Sequence, residues 1–203
     1  MGKFKDVDTA LKQGGICLLP TETVYGLGVD PFNSDSVDRL YALKGRDFDK
    51  PLALCVKNIK QAERFGKFNI LAYRLAKKLW PGPLTLILNA QDGLELDPRL
   101  FGTSRTGERT IALRCPDISW IKKLDNLPIA LTSANKSGDP DPLSFREAFY
   151  TMGAHTQAVI EGPIKSYGLP STIVAISGEQ AEILRRGPLT ADDFAEFNIE
   201  WAT

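Results

Sequence analysis

The chain has 203 residues, 43% hydrophobic and 25% charged, enough to bury a core in one ordinary globular domain. Lys+Arg and Asp+Glu are equal at 25 each, and a zero net charge argues against a protein that grips nucleic acid through phosphates alone. The three cysteines lack regular spacing and read as free thiols, with neither a disulfide framework nor a CxxC zinc site; no apolar run reaches membrane-spanning length, so a soluble cytoplasmic protein is expected.

The first helix is predicted from about Phe4 to Gln13, with Val7, Ala10 and Leu11 on one face and Gly14-Gly15 ending it. Ile16 to Leu19 follows as a buried strand stopped by Pro20. The run PTETVYGLG, Pro20 to Gly28, reads as a strand end breaking into a glycine-containing loop. Asn33-Ser34-Asp35 caps a helix whose inner face is Val37, Leu40 and Tyr41. Leu52 to Val56 is a short buried strand, and Asn58 and Asn69 cap two further helices, the second carrying Leu71, Leu75 and Leu79 before Pro81-Gly82-Pro83.

Leu84 to Leu88 and Thr110 to Arg114 read as strands, separated by an aperiodic stretch, Gln91 to Gly107, expected to be a long loop or flap. Ile118, Ile121 and Leu124 mark a short helix, and Ile129 to Thr132 a strand. Ser144 and Glu147 have the spacing of a capping box ahead of Ala148, Phe149 and Met152. Thr172 to Ile176 and Glu182 to Arg185 can pair as a hairpin across Gly178. The alternation predicts one α/β domain, residues 1–203, built on a mixed sheet.

Four polar clusters follow or interrupt the strands: Pro20 to Gly28, Lys44 to Pro51, Thr132 to Pro142, and Ser171-Thr172 with Arg185. Lys44 suits a helix C-terminus, where a cation offsets the dipole, but Arg46 and Lys50 lie beyond it and abut a buried strand. Cations so placed fit either a solvated loop or a phosphate or carboxylate site. Thr132-Ser133-Ala134-Asn135-Lys136-Ser137-Gly138 is either a phosphate cradle of small donors or an ordinary polar loop. Arg114, in an otherwise apolar strand, needs a partner: a ligand carboxylate or a structural Asp or Glu. There is no GxxxxGK[ST] loop or third glycine after Gly26-Leu27-Gly28, and the sole histidine, His155, reads as a surface or capping residue.

Taken together, PTETVYGLG at Pro20 to Gly28, KxRxxxKPL at Lys44 to Leu52, Thr132 to Asn135, and Ser171 to Val174 with Ile183 to Arg185 resemble the YrdC-like threonylcarbamoyl-adenylate synthase family. The resemblance runs from about Gly15 to Gly187 and implies a twisted α/β sheet flanked by helices, with a large open basic cavity. It implies the reaction L-threonine + bicarbonate + ATP → threonylcarbamoyl-AMP + pyrophosphate, with Mg²⁺ accompanying ATP and no metal site on the protein. The product would serve tRNA-modifying proteins acting on adenosine 37, and tRNA itself is a possible partner. Lys44, Arg46, Ser133 and Asn135 match the reaction centre of relatives; Arg46, Lys50, Thr110, Ala134, Pro142 and Arg185 match ATP contacts; Thr23, Arg114, Thr132 and Ser171 match threonine contacts. Cys55 stands where some relatives carry a histidine near threonine, and longer relatives add a C-terminal domain beyond the point matching Thr203. Competing readings are a non-catalytic module gripping structured RNA in the same cavity, and carbamoyl transfer in hydrogenase maturation.

Overall fold

A computed structural model describes residues 2–125, 128–162, 167–197 and 199. Their helices are α1 (Gly2–Lys12), α2 (Ser34–Lys44), α3 (Ile59–Ala62), α4 (Ile70–Leu79), α5 (Phe145–Met152) and α6 (Ala191–Phe194). The strands are β1 (Cys17–Leu19), β2 (Gly26–Val29), β3 (Ala53–Cys55), β4 (Leu84–Asn89), β5 (Phe101–Thr103), β6 (Arg109–Arg114), β7 (Ile129–Ser133), β8 (Ala158–Val159), β9 (Thr172–Ser177) and β10 (Gln180–Arg185). They form one mixed sheet in the order β10-β9-β4-β6-β3-β7-β2-β1-β8, with β5 added on β6.

Local chemistry sets the helix starts. The side chains of Asn33, Asn58 and Asn69 each accept the backbone N–H three residues on, satisfying a donor that the helix leaves unpaired. Ser144 likewise accepts from Glu147 N, but the Glu147 carboxylate turns back to Leu143 N, one residue before the cap. The complete reciprocal box is instead Thr190 with Asp193, at α6.

Three expectations change. Gly26 to Val29 is not a loop but the inner strand β2, paired with β1 on one side and β7 on the other. A Cβ on Gly26 would meet Thr132 O at 2.9 Å and the Leu131 side chain at 3.0 Å, so glycine is what allows the close approach. The stretch from Gln91 to Gly107 is partly ordered by pairing: a 3₁₀ turn at Pro98–Leu100 leads into β5, which lies antiparallel to β6. Ser119–Lys123 is a 3₁₀ turn and not a regular helix.

Register explains how the sheet carries both a core and a cavity. Ala130, Leu54, Leu113, Leu86 and Val174 line up across β7-β3-β6-β4-β9 and are buried in the larger core, with Val37, Leu40 and Tyr41 of α2 and Leu75 and Ala76 of α4. The next row, on the opposite face, reads Leu131, Ala53, Ala112, Ile87 and Ala175. At the β1 end this face packs a second core, in which Val7 and Leu11 of α1 and Trp120 and Ile121 cover Cys17, Leu19 and Leu131. Over β6, β4 and β9 the face mixes small and polar side chains (Ala112, Arg114, Thr85 and Ala175) with Ile87 and Ile173, and there it stays open.

Candidate functional site

The open face is the floor of a cavity of about 1280 Å³. One row of the sheet supplies its charged floor: Cys55, Arg114, Thr85, Ile173 and Arg185, successive neighbours across β3-β6-β4-β9-β10. Arg185 reaches this row because of an irregularity in the hairpin. Ile183 pairs with Val174 and Arg185 with Ile173, so the extra residue, Leu184, turns Arg185 onto the cavity side.

Arg114 is 7% exposed and its Nη2 donates to Glu22 Oε1 at 2.8 Å and Thr23 Oγ1 at 2.9 Å. The question the sequence left open therefore has a protein answer: Glu22, itself 4% exposed, is the structural partner. The pairing is incomplete, since Glu22 Oε2 and Arg114 Nε are buried without partners among the described residues. The loop that brings Glu22 and Thr23 to Arg114 is shaped by Thr21, whose hydroxyl donates to Val24 O and accepts from Val24 N. Tyr25 leaves the site; its hydroxyl donates to Gly162 O at 2.6 Å.

Arg185 donates from Nε to Ser171 O at 3.0 Å and from Nη2 to Ser171 Oγ at 3.2 Å. Ser171 Oγ also shares a hydrogen bond with Thr85 Oγ1 at 2.7 Å. The segment carrying Ser171 is held by Gly187, where a Cβ would lie 2.3 Å from Pro170 O and 2.4 Å from Thr172 N. Only glycine fits that crossing.

Two loops complete the walls. Gly45, at φ 59°, ends α2 in the left-handed conformation and sends the chain into the cationic loop. There Arg46 folds back to donate to Lys50 O at 2.9 Å and Pro51 O at 3.1 Å, and Lys50 pairs with exposed Asp47 at 2.5 Å. Lys44, 2% exposed, donates to Ser133 O, Asn135 O and Asn135 Oδ1 at 2.6, 2.5 and 3.1 Å. Three ammonium hydrogens thus meet three oxygens. Asn135 Oδ1 takes a further bond from Ser133 Oγ at 2.6 Å, so one asparagine ties the loop after β7 to α2.

Electrostatics links these groups. Burial lowers the Lys44 pKa to about 8, Arg46 adds to the shift, and Asp141 opposes it. Burial also lowers Arg185, with Asp141 opposing and Arg114 and Arg46 reinforcing the shift. Cations from α2, its loop, β6 and β10 therefore repel one another across one opening, the condition under which an anion is attracted.

Of the residues singled out in the sequence, Thr23, Arg46, Lys50, Thr110, Arg114, Thr132, Ser133, Ser171 and Arg185 line the cavity. Lys44, Ala134 and Asn135 are buried behind that wall, and Pro142 does not line the cavity; its carbonyl accepts from Tyr25 N at 3.5 Å, in the loop that carries Thr23. Cys55 lies in the floor, its thiol pushed up to about 12 by burial. Sequence reasoning missed Glu22, Asp141 and Thr85. Thr85 carried a signal, because the alternation of Leu84 to Leu88 puts it on the face opposite Leu84 and Leu86; Glu22 and Asp141 carried none. Among the described residues no helix is long and apolar enough to cross a membrane.

A family model described as "Telomere recombination", covering the Sua5, YciO and YrdC proteins, matches residues 9–187. The threonylcarbamoyl-AMP synthase of Bacillus subtilis is 34% identical over 187 residues, covering 90% of this chain and 52% of the relative. A putative threonylcarbamoyl-AMP synthase of Methanocaldococcus jannaschii is 31% identical over 182 residues, covering 90% of this chain and 84% of the relative. The solved structure of Pyrococcus abyssi Sua5 complexed with L-threonine superposes with a TM-score of 0.86 at 30% identity, over 96% of this chain and 57% of that one. The chain thus spans about half the length of the Bacillus and Pyrococcus relatives. On the match of residues 9–187 and the shared fold, this chain belongs to the Sua5/YciO/YrdC family.

Proposed function

We propose that this protein forms threonylcarbamoyl-AMP and pyrophosphate from L-threonine, bicarbonate and ATP, a product used in threonylcarbamoylation of adenosine 37 in tRNA. The observation that carries the reading is the convergence of Arg46, Arg114 and Arg185 on one cavity, with Lys44 charged just behind its wall. The names of the similar proteins narrow an anion site to this chemistry.

In this reading the threonine amine bonds to the bicarbonate carbon, a C–O bond breaks, and the departing oxygen leaves as water with the amine proton, giving an N-carboxy adduct. A carboxylate oxygen of the adduct attacks the α-phosphate of ATP, and pyrophosphate leaves. Negative charge grows on the phosphate oxygens, so fixed cations lower the barrier by being in place beforehand. Arg46, Lys50 and Arg185 take the triphosphate. Lys44, whose hydrogens are already matched, contributes its charge and holds the Ser133–Asn135 loop. Arg114, with Thr23, Thr132 and Ser171, takes the amino acid; Thr110, Ala134 and Pro142 border the nucleotide. Mg²⁺ would arrive on the triphosphate and neutralise the leaving pyrophosphate.

The test is pyrophosphate release from ATP, Mg²⁺ and bicarbonate with and without L-threonine. Release that depends on threonine, and is lost in Arg46→Ala, is the expected result. Release indifferent to threonine sinks the reading.

A further inference from the structure

We propose that Thr85 is a further binding residue for the amino-acid substrate: with Ser171 it forms a two-hydroxyl unit that presents one proton to a substrate oxygen between Arg114 and Arg185. The proposal rests on the functional reading above and adds a residue to it.

The position comes from the sheet. Thr85 is the register neighbour of Arg114 on one side and of Ile173 on the other, and Ile173 is in turn opposite Arg185. Thr85 lines the cavity and is only 3% exposed, so its hydroxyl has little water to satisfy it.

Proton counting gives the role. Thr85 and Ser171 hold two hydroxyl hydrogens, and either oxygen can be the donor in the 2.7 Å bond between them. That bond uses one hydrogen. Arg185 Nη2 brings its own hydrogen to Ser171 Oγ, so it supplies no acceptor for the other. Whichever way the pair is oriented, one hydroxyl hydrogen has no acceptor among the described residues. Beside it, Arg114 Nε is a second buried donor without an acceptor. Donors left over next to two guanidinium groups call for an anionic or hydroxyl oxygen, as L-threonine carries at both its carboxylate and its side chain.

The pair acts as one donor, which makes its energetics non-additive. With Ser171 donating to Thr85, the free hydrogen sits on Thr85: Thr85→Val removes it from that position, Ser171→Ala leaves it there unsupported, and the double variant loses little beyond Thr85→Val. Arg185 keeps its Nε bond to the Ser171 carbonyl in every variant, so the nucleotide side is spared.

The experiment is calorimetric titration of L-threonine and, separately, of Mg-ATP into the wild type, Thr85→Val, Thr85→Ser, Ser171→Ala and the Thr85→Val/Ser171→Ala double variant, with melting curves for each. Wild type binding neither ligand overturns the functional reading itself. Given wild-type binding, Thr85→Val is expected to weaken threonine about tenfold, the effect of roughly one hydrogen bond. Thr85→Ser should restore affinity to within about threefold, Ser171→Ala should lose less than Thr85→Val, the double variant should resemble Thr85→Val, and ATP affinity should change less than about threefold. Threonine affinity unchanged in Thr85→Val, or losses that multiply in the double variant, overturns this proposal alone. Loss that follows the melting temperature and is not rescued by serine assigns Thr85 a merely structural role and also overturns it.

Discussion

Two adjacent rows of one sheet, a single residue apart along each strand, have opposite fates. Leu54, Leu113, Leu86 and Val174 face helices and are fully buried; Cys55, Arg114, Thr85 and Ile173 face the cavity. The backbone is common to both, so the difference lies in side-chain size and charge. Large aliphatic groups recruit a covering layer because burying each stabilises by about 1.5–3 kcal/mol. On the cavity face Ile87 and Ile173 stand among Ala53, Ala112, Ala175, Thr85 and Arg114, and so mixed a surface offers too little continuous apolar area to recruit one, which leaves the space above it open.

The largest test of that comparison removes Glu22, which keeps a charge tolerable on the cavity face. Glu22→Ala leaves Arg114 buried beside an empty space and is expected to cost about 3–5 kcal/mol in urea unfolding. On the covered face, Leu86→Ala should cost about 3 kcal/mol by creating a void. Its counterpart Ala112→Leu points into open space and should stay within about 1 kcal/mol of wild type while blocking the proposed threonine-dependent pyrophosphate release. Similar costs for the two leucine–alanine exchanges would erase the distinction between the faces.

Lys44 sharpens the comparison through pH. Its folded pKa of about 8 lies below the ordinary 10.5, so between those values the unfolded chain binds more protons than the folded one. Stability from this group therefore rises with pH across that window and is at its lowest below about 8. The stability of wild type relative to Lys44→Met should grow from pH 8 to 10.5 by up to about 3 kcal/mol, measured by urea unfolding at each pH. A flat difference would mean that Lys44 titrates as an exposed lysine does. The smallest effect belongs to Arg105, at the tip between β5 and β6, which reaches Glu182 of β10 at 2.7 Å with both side chains well exposed. Arg105→Ala should change unfolding free energy by less than about 1 kcal/mol.

What was legible in the sequence follows the range of the interaction. The caps at Asn33, Asn58 and Asn69 act within three residues, and so does the turn at Gly178, φ 58°, that joins β9 to β10. These could be read directly. Strand β2 could not, because its two glycines resemble a loop until β1 and β7 are known to press against them. Nor could the partner of Arg114, since Glu22 lies 92 residues earlier in the chain. The motifs placed most candidate residues around one cavity, whereas Lys44 and Asn135 proved to be interior ties. Their residue types signal a polar contact without saying whether protein or ligand supplies it.

The three cysteines have a practical consequence. Cys17, Cys55 and Cys115 are all buried, and burial raises their thiols to about 12, 12 and 11. At neutral pH almost no thiolate exists to react, so alkylation reports how often each site opens, not how reactive it is. Cys55 sits in the cavity floor next to Arg114, while Cys17 lies beneath α1. Their separate labelling rates make the chain a built-in clock, timing the breathing of the cavity floor against that of the sheet beneath α1.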